Sequence, residues 1–109
     1  MMRQKTYVKI HGQFWDIVSV NQSELTDYKR NDSRDGDCVV PIRPGHKLSR
    51  KERVIRISKT LNDDDLLETL IHEPLHAMFP EKNEEWISDT ARDLKNILIK
   101  FGFKRTEET

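Results

Sequence analysis

His72-Glu73-Pro74-Leu75-His76 sets two imidazoles four residues apart, with a carboxylate beside the first. On a helix, residues i and i+4 lie on one side, and at about 100° per residue His76 stands roughly 40° from His72. Both rings can then reach one ion. The neighbouring Leu, Ile and Met positions fall on the other side, so the pair faces a cleft rather than the core. Glu73, next to the first ligand, is placed to act as general base toward a water at that ion. Two imidazoles with a carboxylate nearby suit zinc, and the chemistry implied is metal-assisted hydrolysis.

A catalytic zinc takes three protein ligands and keeps one open position. Cys38 is a poor third ligand, because it lies far upstream in an expected strand. His11 and His46 have no local pattern pointing at the helix and read as surface residues. The acids just past the first helix are better placed. Eight residues separate His76 from Glu85, enough for residues 80–83 to reverse the chain over the His pair.

The elements around the motif are legible. Thr6 to Val20 reads as a hairpin: Val8 and Ile10 alternate with polar residues, His11-Gly12 supplies the turn, and Phe14 to Val20 returns. Asn21 to Asp37 reads as a polar loop with a short helical turn near Ser23 to Tyr28. Cys38 to Ile42 is a short apolar run that Pro41 confines to an edge or a strand end. Arg43 to Lys51 reads as a basic loop, and Arg53 to Ser58 as a strand with Ile55 and Ile57 on one face. Asn62 is an N-cap ahead of three aspartates, which the helix dipole favours. Leu66, Leu67, Leu70, Ile71, Leu75 and Met78 form an apolar stripe, and the helix should stop near Phe79, before Pro80. Asn83 opens a second helix, carrying Ile87, Ala91, Leu94, Leu98 and Phe101 at helical spacing and ending at Gly102. Trp15 and Trp86 read as core or cleft-wall residues. The expected fold is α+β in one domain over residues 1–109, a hairpin and antiparallel strands followed by two helices, with 106–109 as a disordered tail.

Composition narrows the function classes. The 109 residues hold 19 Lys plus Arg and 19 Asp plus Glu, a formal net charge of zero. No run approaches the roughly 18 apolar residues of a membrane span. The first ten residues show no secretory apolar stretch. A single cysteine excludes a Cys-rich metal knuckle and suits a reducing compartment, so a cytoplasmic setting is expected. The zero hides an asymmetry. Seven basic residues oppose one acid from Arg43 to Lys59, and ten acids oppose two basic residues from Asp63 to Asp93. The simplest expectation is that the two segments pack together and neutralise each other.

HExxH followed by Glu-x-x-x-Asp, here Glu85-Trp86-Ile87-Ser88-Asp89, resembles the gluzincin zinc metallopeptidases, the thermolysin-like group. The run from Leu67 to Arg105 also looks like small metallopeptidases of phages and bacteria. The resemblance covers residues 53–105. It implies a zincin-like fold with His72 and His76 as zinc ligands, Glu73 as general base, Glu85 as third ligand and Asp89 supporting a ligand His. It also implies that Arg53 to Ser58 is the edge strand along which an extended peptide lies. Two departures stand out. The short His-to-Glu spacing leaves Glu84 as a rival third ligand. Pro74 sits inside the motif, removes a helix hydrogen bond to the Leu70 carbonyl, and typically costs ~3 kcal/mol. It either kinks the helix at the site or marks a motif that has lost its chemistry.

The leading expectation is a zinc-dependent metallopeptidase acting on a peptide or protein, in the cytoplasm of a bacterium or a phage-infected host. Two alternatives stay open. One is a non-catalytic, metal-stabilised domain that binds a partner protein. The other is a DNA-associated protease of the SprT-like kind, holding nucleic acid through Arg43 to Lys59. Zero net charge does not favour the second.

Overall fold

The computed structural model describes residues 5–25, 35–41 and 45–103. At the hairpin turn, His11 and Gly12 both take positive φ, 51° and 80°, as a primed two-residue turn requires. Strands β1 (Lys5–Ile10) and β2 (Gln13–Val20) therefore pair antiparallel, with Ile10 opposite Gln13. A 3₁₀ turn follows at Gln22–Leu25. It overlaps the expected helical turn, whose residues 26–28 lie outside the described residues.

The remaining strands correct the expected sheet. Strand β3 is Gly36–Cys38, upstream of the apolar run expected at residues 38–42. It ends before Pro41, which has no N–H to give to a ladder. Strand β4 (Val54–Ser58) enters between β2 and β3, giving the order β1-β2-β4-β3. It runs antiparallel to β3 and parallel to β2, so the sheet is mixed rather than antiparallel. The strand expected at an edge is thus internal, and its Ile55 and Ile57 are buried, as an inner strand requires. The edge beside the helices belongs to β3.

Helix α1 (Asp63–Met78) starts where the Asn62 side chain accepts the Asp65 N–H at 2.8 Å. Helix α2 (Glu84–Lys100) starts in the same way, with Asn83 accepting the Trp86 N–H at 2.8 Å. Gly102, at φ 90°, ends it. Helix α1 is continuous through Pro74. Leu70, whose carbonyl loses its partner, is partly exposed, so water can supply the missing hydrogen bond.

The apolar side of α1 divides between two partners. Leu66 and Ala77 pack on the sheet cluster of Ile10, Trp15, Leu48, Ile55 and Ile57. Ile71 and Leu75 pack on Ile87 and Ala91 of α2. Leu70 and Met78, at the rim of the stripe, stay more than a third exposed. The result is a small α+β structure with a four-stranded mixed sheet and two helices. Among the described residues no helix is long and apolar enough to cross a membrane.

Candidate metal centre

With the sheet below α1 and α2 beside it, one strip of α1 faces the gap between β3 and α2. Asp65, Glu68, Thr69, His72, Glu73 and His76 occupy it, at spacings of three and four residues. These six floor a cleft of about 520 Å³. β3 forms one wall, through Gly36, Asp37 and Cys38, and α2 forms the other, through Glu84 and Ser88. The wall is close because Gly36 has no side chain. A Cβ there would stand 2.8 Å from the Thr69 methyl and 2.7 Å from the Arg56 carbonyl oxygen.

The two His rings meet edge to face, with centroids 5.0 Å apart. Both Nε2 atoms point at one carboxylate, that of Glu84: His76 is 2.9 Å from its Oε1 and His72 is 3.1 Å from its Oε2. The Ser88 hydroxyl donates to the same Oε2 at 3.2 Å. Glu73 is 7% exposed, and its Oε2 lies 4.0 Å from His72 Nε2. His72, Glu73 and His76 each offer one ligand atom, all within 4.8 Å of one another, and the cluster could bind a metal ion. Burial holds His72 below the ordinary imidazole range, with His76 acting the same way, against the opposing pull of Glu84 and Glu68. A neutral imidazole is the form that ligates.

Of the two acids that open α2, Glu84 is the one that meets both His rings. Helix geometry gives the reason. Ile87 and Ala91 must face Leu75, and at ~100° per residue Glu84 lies roughly 60° from Ile87, while Glu85 and Asp89 each lie about 160° from it. Glu85 is exposed and does not line the cleft. Asp89 touches neither His ring in the contacts described and pairs with Arg92 at 2.6 Å on the surface. Ser88 takes the place four residues past the carboxylate that Asp89 was expected to fill.

Other residues expected elsewhere also converge here. Cys38, set aside as too far upstream, lines the cleft. Burial pushes its thiol up to about 12, and Glu73 and Asp37 push the same way. Asp35, at the start of the β3 wall, is raised by burial and then by Asp65 and Glu68. Sequence reasoning missed Asp35, Gly36 and Asp37. The α1 strip it could have found, because Asp65, Glu68 and Thr69 repeat the helical spacing of the His pair. Away from the cleft, His11 Nε2 lies 3.1 Å from the Met78 carbonyl at the end of α1. Trp15 is core, and Trp86 packs against Phe79 with ring centroids 5.5 Å apart.

Three arginines of the basic segment are committed to the fold. Arg50 pairs with Asp16 at 2.9 Å, and Arg53 donates to the carbonyls of Phe14 and Leu48, both at 2.9 Å. Arg56 grips both carboxylate oxygens of Asp37. Asp16 and Asp37 lie outside the acidic run of residues 63–93, so these arginines find partners other than those expected. Comparison of the chain with protein-family models, with curated proteins and with solved structures finds no match.

Proposed function

We propose that the chain is a zinc-dependent peptidase whose ligands are His72, His76 and Glu84, with Glu73 as its general base. The observation that carries this reading is the convergence of both imidazole Nε2 atoms on one carboxylate, beside a buried glutamate in an open cleft. Two nitrogens and one carboxylate oxygen are a donor set that catalytic zinc uses. When bound there, zinc supplies Lewis-acid polarisation of a carbonyl and lowers the pKa of water.

The chain's own residues supply the rest. Ser88 fixes the Glu84 carboxylate by donating to it. Burial keeps His72 neutral and able to ligate. Glu73, adjacent in sequence to a ligand and aimed into the same space, accepts a proton from the attacking water and returns it to the departing amine. The β3 edge, rather than β4, is the strand beside which an extended peptide fits. Arg50, Arg53 and Arg56 are occupied within the fold, which weakens the nucleic-acid reading.

Pro74 favours a second reading, a metal-stabilised domain without catalysis. One experiment separates the two. The zinc-loaded wild type and Glu73→Gln are incubated with an unstructured protein substrate, and bound zinc is measured by elemental analysis. The peptidase reading expects about one zinc per chain in both, with cleavage only in the wild type. Zinc binding without cleavage in either supports the second reading. A wild type that takes up no zinc refutes both.

A further inference from the structure

Helix α2 carries more apolar surface than α1 covers. Ile87 and Ala91 are fully buried, in one cluster with Leu75. Trp86, Leu94, Ile97 and Phe101 belong to the same helix and its C-terminal cap, yet stay 36%, 39%, 51% and 80% exposed. At ~100° per residue, Thr90, Leu94, Ile97 and Phe101 fall in one strip about 60° wide that begins beside Ile87. Glu84 and Ser88 lie on the other side of Ile87, so the strip faces away from the metal-capable cleft.

The strip has the spacing of a coiled-coil seam. Thr90 and Ile97 take d positions, and Leu94 and Phe101 take a positions. Asp93 and Lys100, both exposed, flank the seam at successive g positions, on the side away from α1. These flanks are self-complementary. When two copies of α2 run antiparallel about a twofold axis, a residues face d residues. With the axis midway between Leu94 and Ile97, Leu94 meets Ile97 of the second copy, and the large Phe101 meets the small Thr90. The same register sets Asp93 beside Lys100 of the second copy, twice over. A slip of one heptad in either direction sets Asp93 against Asp93, or Lys100 against Lys100, which repel.

We propose that this face of α2 docks a second copy of the chain, as an antiparallel, twofold-symmetric helix pair. Four side chains of this size and exposure offer roughly 400 Å² of apolar surface per copy. With the stems of Asp93 and Lys100, the pair buries about 1,000 Å² in total, the lower limit for a specific interface, so the dimer is reversible. Both clefts stay open in it, and the pairing does not depend on the peptidase reading.

The test is sedimentation equilibrium of the whole chain from roughly 5 to 500 μM, the range in which a small interface associates. The average mass should rise from one chain toward two and no further. Ile97→Asp and Phe101→Asp, at exposed positions, should each weaken association at least about tenfold, with circular dichroism unchanged. Asp93→Lys and Lys100→Asp should each weaken it about threefold or more, and Asp93→Lys/Lys100→Asp should restore it to within about twofold of the wild type. A monomer at every concentration overturns the proposal and leaves the face to residues 104–109 or to a different protein. Assembly beyond two copies also overturns it, as does a dimer indifferent to both Ile97→Asp and Phe101→Asp, or a double charge variant no better than the single ones.

Discussion

Gly36→Ala tests whether the close approach of β3 to α1 builds the cleft. The new methyl group would meet the Arg56 carbonyl oxygen at 2.7 Å, the Thr69 methyl at 2.8 Å and Glu73 Cγ at 3.2 Å. The first is backbone of an inner strand, and the second lies on a buried helix face, so neither moves cheaply. Overpacking of this kind costs about 1–3 kcal/mol. Replacing glycine by alanine returns about 0.4–1 kcal/mol through the unfolded chain. The net loss should be roughly 1–2 kcal/mol, or about 5–10 °C in melting temperature for a domain of this size. Thermal and urea unfolding followed by circular dichroism would measure it. Thr69→Ser removes one of the clashing groups, so the double variant should be more stable than the sum of the single changes by about 0.5–1 kcal/mol. An alanine variant as stable as the wild type, or strict additivity with Thr69→Ser, would refute the packing argument.

Three further outcomes follow from the site. Glu84→Gln should weaken zinc binding at least tenfold in competition with a chelator, and Glu85→Gln by less than twofold; the reverse order would return the third ligand to Glu85. Because His72 is held below its ordinary value of 6.5, the unfolded chain binds that proton more readily. Stability of the metal-free protein should therefore be complete above pH 6.5 and fall as the pH drops below it, by at most about 1.4 kcal/mol per unit. Urea titrations from pH 7.5 to 5 would show this, and His72→Gln should flatten the profile. Cys38, with its thiol pushed up from 9.0 to about 12, should react with iodoacetamide at pH 8 at least tenfold more slowly in the native protein than in urea. Comparable rates would place Cys38 outside the protected wall.

The metal-capable pair and both helices were legible in the sequence because they depend on local rules. Asn62 and Asn83 cap by side-chain chemistry within three residues. His72 and His76 share a face through helix geometry alone, and His11-Gly12 turns the chain because both residues accept positive φ. Even the turn of Glu84 toward the His pair was recoverable, since the face that Ile87 and Ala91 must bury fixes it. What only tertiary structure decided is which distant segments complete the cleft. The strand expected at an edge became internal when β4 entered between β2 and β3, a pairing fixed by long-range burial of Ile55 and Ile57. The edge then passed to a three-residue strand too short to carry a pattern. Gly36 let that strand rest against Thr69 and Glu73, which brought Asp35, Asp37 and Cys38 to the His pair. Separation along the chain hides such contacts, because the packing that rewards them exists only once the sheet and α1 have met.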